Sequence, residues 1–384
     1  MNSALIIGGA SGIGLAVALK FAKICREVFI IDRHEIGCEE SIPDNVMFIK
    51  EDLTTTDFEW LNQFKNIDIL FYSAGFGRVA PFESLNFKEI DNLFKVNTIG
   101  AIKVLNYYMP IIKSEKTFLC GLMVSIAGRL VSPLFSVYSA TKSALYRGIE
   151  AINAELRISG TSNRILDVSP GSIKGTSFGG QKTNLEALER LSNTIVNSML
   201  NHEEFLIPEF EDIYKNVLQR YQADPIQFAQ DSYNYKIESN RIQEKPQITI
   251  GYLSGTFDLF HVGHLNLLRR ARRECDYLVV GVHKDASHKG KETFIPFEER
   301  MEILKNIKFV DKVIESEKED SDVYKKGIVK YDKLFVGSDY KGSERFNQYE
   351  RFFKDKGVEI IYFPYTKGTS STQLRENIKI KNRD

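Results

Sequence analysis

The chain has 384 residues, 43% of them hydrophobic and 27% charged, and its 51 basic residues balance 51 acidic ones. This length exceeds the usual single domain, so two domains are expected. A formal net charge of zero argues against broad nucleic-acid or membrane-surface binding, leaving only local phosphate sites open. No apolar run reaches membrane-spanning length, and the N-terminus enters a strand without a basic-then-apolar leader. Cys25, Cys38, Cys120 and Cys275 are far apart and lack metal-ligand spacing. They suit reduced thiols in a cytoplasmic protein with no protein-held metal.

Ala4 to Ile7 reads as a strand, followed by Gly8-Gly-Ala-Ser11-Gly12-Ile13-Gly14 and a helical pattern through Leu15, Ala18, Leu19 and Ala22. Strand, glycine turn and helix in that order form a dinucleotide-binding opening, in which the backbone approaches a pyrophosphate at a helix start. Val28 to Ile31 is the next strand and Asp32 ends it. An acid there can bind both ribose hydroxyls of NAD and repels the extra phosphate of NADP, whereas the adjacent Arg33 can pair with that phosphate. Both cofactors stay open, with a lean to NADH. Asp52-Leu53 follows the strand Val46 to Ile49, and Ser73-Ala74-Gly75 follows Ile67 to Tyr72. Asn97 lies in the helical stretch Ile90 to Tyr108, and Ser125 ends the strand Leu119 to Val124. Tyr138 and Lys142 share a helix face at one-turn spacing. Pro170-Gly171 follows Ile165 to Val168, with Ile173 and Thr176 beyond. Leu185 to Leu200 reads as a helix and Phe205 to Pro208 as a last short strand.

Together these motifs resemble the short-chain dehydrogenase/reductase family over residues 1–208. The resemblance implies that Gly8, Ser11, Gly12, Ile13, Gly14, Asp32, Arg33, Asp52, Leu53, Ala74, Gly75, Pro170, Gly171, Ile173 and Thr176 bind NAD(H) or NADP(H). It also implies that Asn97 holds a proton-relaying water. Two departures stand out: Tyr72-Ser73 replaces the family's Asn-Asn, and Thr176 comes one residue late. The chemistry follows from the residues too. Reducing a ketone needs a proton donor beside the developing alkoxide, and an unperturbed tyrosine, near pKa ~10, is a poor one at neutral pH. Lys142 is expected to lower the Tyr138 pKa by its charge, and Ser125 to hydrogen-bond the carbonyl oxygen. Lys174 and Lys182, in a Gly/Ser/Thr-rich loop, could meet a substrate phosphate or simply face solvent.

Residues 209–246 read as a helical connector, with Ile213, Val217, Leu218 and Tyr221 at helical spacing and a break at Asp224-Pro225. Beyond it, residues 247–384 alternate strand and helix patterns. The fold class is thus α/β, with two doubly wound parallel-sheet domains joined by that connector. The strand Ile248 to Leu253 runs into Gly255-Thr256-Phe257-Asp-Leu-Phe-His261-Val-Gly-His264, followed by a helix through Leu265, Leu268 and Ala271. Both histidines therefore flank a helix start, where free N–H groups and the helix dipole attract phosphate. Further strands are expected at Tyr277 to Val282, Lys333 to Val336 and Val358 to Phe363. Helices are expected at Phe297 to Ile307 and Phe346 to Lys354, with a last one opened by Thr369-Ser370-Ser371-Thr372.

This half resembles the HxGH nucleotidyltransferases in the form of glycerol-3-phosphate cytidylyltransferases, over residues 248–377. The resemblance implies catalytic roles for His261, His264, Lys289, Lys291 and Arg300. It implies CTP contacts from Gly255, Thr256, Phe257, His261, His264, Lys291, Asp339, Thr369, Ser370, Ser371 and Thr372. Mg²⁺ would be held through nucleotide phosphates, without protein ligands. Tyr365 stands where the family has an arginine, and Lys367 is the nearby candidate to replace it. Both families commonly form dimers, so a homodimer is implied, with small-molecule substrates and neither nucleic acid nor membrane as partner.

Fusing the two chemistries predicts a bifunctional enzyme of CDP-polyol synthesis. A ketose phosphate is reduced and the polyol phosphate is coupled to CTP. Ribulose 5-phosphate is favoured, because cells already make glycerol 3-phosphate for lipids. Dihydroxyacetone phosphate, leading to CDP-glycerol, is the alternative. A second alternative makes the first domain a non-catalytic nucleotide sensor, and a third replaces CTP by ATP.

Overall fold

The structure is a computed structural model that describes residues 1–37, 42–176, 178, 182–243, 248–284 and 293–364. It divides into two compact units, Met1–Lys245 and Pro246–Asp384. Cys38, Lys289, Lys291, Tyr365, Lys367, Thr369, Ser370, Ser371 and Thr372, and the helix expected after them, lie outside the described residues.

The first unit is built on seven short strands: β1 (Ser3–Ile7), β2 (Glu27–Asp32), β3 (Val46–Lys50), β4 (Ile69–Tyr72), β5 (Leu119–Met123), β6 (Ile165–Val168) and β7 (Phe205–Leu206). All pair in parallel, in the order β3-β2-β1-β4-β5-β6-β7. β1, β4, β5 and β6 are buried along their whole length, as near-continuous apolar strands require when helices cover both sheet faces. Alternate side chains divide between two cores. Ala4, Ile6, Ile69 and Phe71 pack with helices α1 (Gly12–Phe21) and, further along the chain, Leu185–Leu200. Leu5, Ile7, Leu70 and Tyr72 face the other way, toward Val104, Tyr108, Leu145 and Ile149. The helices on that side are α2 (Phe87–Phe94), α3 (Ala101–Ile112) and α4 (Ser136–Ile158), and Leu185–Leu200 is α5.

The stretch read as one helix from Ile90 to Tyr108 is α2 and α3 joined by a wide π-helical turn, Lys95–Gly100. π turns of this kind concentrate at functional sites, and Asn97 sits in this one. The connector forms a short π turn, Phe210–Tyr214, then α6 (Lys215–Ala223) and α7 (Pro225–Glu238). Asp224 caps α7 by accepting from the N–H groups of Ile226 (3.1 Å) and Gln227 (2.9 Å), with Pro225 in the first turn. The connector belongs to the first unit. Gln243 donates its N–H to the Val79 carbonyl (2.9 Å), and its own carbonyl accepts from Arg78 Nη1 (3.3 Å).

The second unit has five parallel strands: β8 (Ile250–Gly255), β9 (Tyr277–Val282), β10 (Lys312–Glu315), β11 (Lys333–Gly337) and β12 (Glu359–Phe363). Their order is β10-β9-β8-β11-β12. Helices α8 (Val262–Arg273) and α9 (Phe297–Lys305) supply Leu268, Ala271 and Leu304 to one face. Helices α10 (Asp320–Lys325) and α11 (Glu344–Phe353) supply Val323, Phe346, Tyr349 and Phe353 to the other. Cys25, Cys120 and Cys275 are buried free thiols. No described helix is long and apolar enough to cross a membrane.

Candidate active sites

In the first unit the strand order reverses at β1, and a ligand crevice forms beyond the carboxyl ends of strands at such a switch point. A cleft of about 1160 Å³ opens there. Its one end is the glycine turn. Gly8 has φ +80°, and a Cβ on it would lie 2.3 Å from the Ala74 nitrogen; a Cβ on Gly14 would lie 2.1 Å from the Gly8 carbonyl oxygen. Only glycine permits that approach, and it leaves the backbone open to a bulky anion at the start of α1. Asp32 is held at the end of β2 by N–H groups of Ala10 (3.1 Å, to Oδ2) and His34 (3.1 Å, to Oδ1). Arg33, Asp52, Leu53, Ser11, Ile13, Ala74, Gly75, Pro170, Gly171, Ile173 and Thr176 line the same cleft, as do Gly8, Gly12 and Asp32. Gly14 is not among the lining residues; it acts through the close packing just described.

At the other end lie Ser125, Tyr138 and Lys142. Lys142 is only 2% exposed and its Nζ donates to the Met123 carbonyl (2.8 Å). Burial lowers its pKa to about 8, against the opposing pull of Asp167. Asp167 is itself buried, ion-paired with Arg129 and bonded by the Ser169 hydroxyl (2.6 Å). Tyr138 stacks on Phe135 (ring centroids 4.2 Å apart) with Phe178 edge-on (5.5 Å). The expected lowering of the Tyr138 pKa is not what the structure shows. Burial pushes it up to about 12, and the countering influence is a hydrogen bond with Ser125. The Lys142 ammonium lies 5.8 Å from the ring centroid, and its own charge is disfavoured by the same desolvation.

Asn97 is fully buried. Its Oδ1 accepts from the Phe76 N–H (3.0 Å), and its Nδ2 donates to the Phe76 carbonyl (2.8 Å) and Thr141 Oγ1 (3.1 Å). Those bonds tie the π turn to the segment after β4 and to α4. Tyr72, one of the departures from the family pattern, completes the tie. Its hydroxyl donates to the Val96 carbonyl (2.6 Å) inside the same turn.

Sequence reasoning missed two features of this cleft. Gly77 lies under the Tyr138 ring so closely that a Cβ there would be 2.5 Å from Cδ2. Lys236, Asn240, Arg241 and Gln243 of the connector line the cleft as well. The first leaves no signal beyond an unexplained glycine after Gly75. The second depends on long-range packing. Lys174 lines the cleft, while Lys182 is exposed and not among the lining residues.

In the second unit the strand order reverses at β8, and the paired histidines stand at its carboxyl end. The turn carries Phe257 (φ +52°) and Leu259 (φ +51°), both left-handed without being glycine. Such strain persists where the surroundings enforce it. Buried Asp258 does so by accepting from the N–H groups of Phe294 (3.1 Å) and Ile295 (3.0 Å). His261 caps α8 through Nδ1, which accepts from the Gly263 N–H (3.0 Å), and His264 Nδ1 accepts from the His261 N–H (3.4 Å). The rings stack 4.0 Å apart. An accepting Nδ1 on a neutral imidazole places the proton on Nε2, so both rings offer N–H donors away from the helix. Burial lowers the pKa of each; His264, also repelled by His261, falls to about 4 despite Asp258. The pair is therefore neutral at pH 7. The Thr256 hydroxyl, between them and β8 in the chain, is buried with no hydrogen-bond partner among the described residues. Exposed Asp339 follows β11, the neighbour of β8 across the switch point.

Arg300 braces this turn from within. It is 1% exposed, and its guanidinium donates to carbonyl oxygens of Ile295 (2.9 Å), His283 (2.9 Å), Lys284 (2.8 Å) and Thr256. The loops after β8 and β9 leave these carbonyls outside the sheet ladder, and the five donors of one arginine satisfy them. Through these bonds Arg300 positions the histidine turn.

The sheets and sites define two α/β nucleotide-handling units, one with the constellation of a reductase and one with that of a nucleotidyltransferase. The short chain dehydrogenase family model matches residues 2–187 and the cytidylyltransferase-like model residues 252–377. Glycerol-3-phosphate cytidylyltransferase of Bacillus spizizenii is 39% identical over 129 residues, covering 32% of this chain and 92% of the relative. The enzyme of the same name from Staphylococcus aureus is 38% identical, covering 32% and 90%. An uncharacterized oxidoreductase of Staphylococcus epidermidis is 25% identical over 210 residues, covering 51% and 90%. A short-chain dehydrogenase structure from Streptomyces avermitilis shares the fold of the first unit (TM-score 0.50, 20% identity, 61% of this chain and 100% of the other). The chain belongs to the cytidylyltransferase family through its second unit and carries a short-chain dehydrogenase/reductase domain as its first. It is a fusion of an oxidoreductase with a nucleotidyltransferase.

Proposed function

We propose that this fusion makes a CDP-polyol in two steps, reducing a ketose phosphate with NAD(P)H and then coupling the polyol phosphate to CTP with release of pyrophosphate. The observation that carries this reading is the gathering of Ser125, Tyr138 and Lys142 at one end of a cleft whose other end is a glycine turn, on a chain that also carries the capped histidine pair. The two chemistries join at one compound.

The first cleft fits a dinucleotide, because Gly8 and Gly14 leave the approach to the α1 start clear and Asp32 waits at the end of β2. Asp32 is the reason to favour NADH, since a fixed carboxylate accepts from ribose hydroxyls and repels a phosphate. A dinucleotide held there would supply the hydride that the carbonyl carbon takes up. Tyr138 gives its phenolic proton to the carbonyl oxygen as that atom gains charge, and Ser125 steadies the same oxygen by a hydrogen bond. A phenol pushed up to about 12 stays protonated at pH 7 but is a weaker acid than a free tyrosine, so its proton transfer leans on the Ser125 hydrogen bond and the nearby Lys142 charge. Lys142, with a pKa near 8, is poised to return a proton. Asn97 positions the turn beside Tyr138 and Lys142.

In the second unit a phosphomonoester oxygen of the polyol phosphate attacks the α-phosphorus of CTP, and the bond to the bridging oxygen of pyrophosphate breaks. His261 and His264 donate Nε2–H groups to phosphate oxygens, and the α8 start adds backbone donors. By family resemblance Lys289 and Lys291 are assigned to the phosphates of both substrates, and Thr369 to Thr372, Gly255, Thr256, Phe257 and Asp339 to the nucleotide. Mg²⁺ would ride on the nucleotide phosphates.

Ribulose 5-phosphate is the favoured substrate, since a pentitol phosphate needs a dedicated reductase. The name shared by the relatives of the second unit favours glycerol 3-phosphate instead. Mass spectrometry of products from CTP, NAD(P)H and a ketose phosphate mixture tests the whole reading. A CDP-pentitol is expected, a CDP-glycerol moves the assignment to the triose, and no CDP-polyol at all overturns it.

A further inference from the structure

We propose that Lys236 and Arg241, from the connector, form the anion subsite that holds the phosphate of the substrate in the reductase cleft. This rests on reading the first unit as a ketose-phosphate reductase. Lys236 is only 9% exposed, and its Nζ donates to Ser132 Oγ (2.8 Å) and the Pro133 carbonyl (2.6 Å). Ser132 lies in the segment that enters α4, ahead of Phe135 and Tyr138, and all three line the cleft. Lys236 therefore stands beside the segment that leads to Tyr138.

Arg241 follows one turn on, its N–H donating to the Lys236 carbonyl (3.0 Å). Its guanidinium rests on the Tyr235 ring (4.9 Å) and donates to Ser172 Oγ (3.0 Å) and Tyr235 Oη (2.9 Å). Two bonds leave one donor on Lys236 and three on Arg241.

No carboxylate among the described residues pairs with either cation. Elsewhere in this unit the largely buried cations Arg78 and Arg129 each have one, Glu89 and Asp167. Burial, with the repulsion of Arg241 second, lowers the Lys236 pKa to about 8, with no acid opposing. Two adjacent cations facing a cleft, one of them desolvated, are destabilised together until an anion joins them. A phosphomonoester dianion supplies charge for both and acceptors for the spare donors. The connector thereby reads the end of the substrate remote from the carbonyl.

The test uses the full chain in two measurements. Calorimetry with inorganic phosphate is run on wild type, Arg241→Gln and Lys236→Met, with CTP saturating so that phosphate sites of the second unit are filled. Each variant is expected to bind phosphate at least about tenfold more weakly, the loss of one charge-assisted hydrogen bond. Arg241 is exposed, so its variant keeps the packing of the cleft even where Lys236→Met does not. In steady-state reduction, Arg241→Gln is expected to raise KM for the ketose phosphate about tenfold with kcat little changed. Its kcat/KM for the matched unphosphorylated ketose should stay within about twofold, and Arg241→Lys should recover part of the loss. Unchanged phosphate affinity in Arg241→Gln, or equal losses on both ketoses, overturns the subsite. Phosphate affinity lost in the variants while wild type reduces no ketose phosphate supports the subsite and overturns the substrate reading instead.

Discussion

The two units solve opposite electrostatic problems with the same doubly wound sheet. The reductase cleft buries two titratable groups, and burial drives their pKa values in opposite directions: Tyr138 is pushed up to about 12 while Lys142 is lowered to about 8. The histidine turn buries groups whose protons must stay put. Each Nδ1 is committed to a backbone N–H, and His264 titrates only near 4. Proton transfer uses side chains that titrate, whereas stabilising phosphate charge needs donors fixed in place.

Tyr138→Phe breaks the first half of the comparison most sharply. NAD(P)H oxidation should fall by about 10³-fold, the worth of a general acid, with cytidylyl transfer unchanged in a pyrophosphate-release assay. His264→Ala should do the reverse, lowering transfer by roughly 10²-fold for a lost donor while reduction holds. Gly77→Ala sharpens the geometric side. Its methyl would meet the Tyr138 ring at 2.5 Å, and displacing that ring should cost reduction about 10²-fold in kcat, with Tm of the transferase unit unmoved. Asp32→Ala should shift the NADPH/NADH preference by roughly tenfold toward NADPH, removing a repulsion and a ribose acceptor; an unchanged ratio would show that Asp32 does not read the ribose. The smallest effect is in pH. Lys142 is a cation below about 8 and neutral above it, so kcat/KM for reduction should fall by up to about tenfold per unit as pH rises past 8. Transfer should stay flat from pH 7 to 8, because both histidines, lowered from the ordinary value by burial, are already neutral there. Parallel profiles would erase the distinction between the sites.

Much of this was legible in the residues. The strands Ile165–Val168 and Tyr277–Val282 and the helix Leu185–Leu200 have the bounds their apolar patterns predict. Long continuous apolar runs and regular spacing leave little choice. β10 and α10 were not legible: Lys312–Glu315 has two apolar residues at a sheet edge, and Asp320–Lys325 is too short for a period. The glycine turn, Tyr138 and Lys142 announce themselves by local spacing. What they become electrostatically does not, because desolvation is set by residues distant in sequence, and here it reversed the expected sign for Tyr138. Arg300 shows the same limit, since nothing near it in the sequence says that it gathers backbone carbonyls of the loops after β8 and β9.

The connector bears on how such a chain can be taken apart. Its length of helix resembles a spacer between finished modules, but Gln243 is stitched to Val79 and Lys236 to Pro133. It is a wall of the reductase. A chimera that borrows this reductase must carry the chain through Gln243, and one that stops after the last strand inherits a cleft with a side missing. The seam for exchanging transferases lies after the connector, not before it.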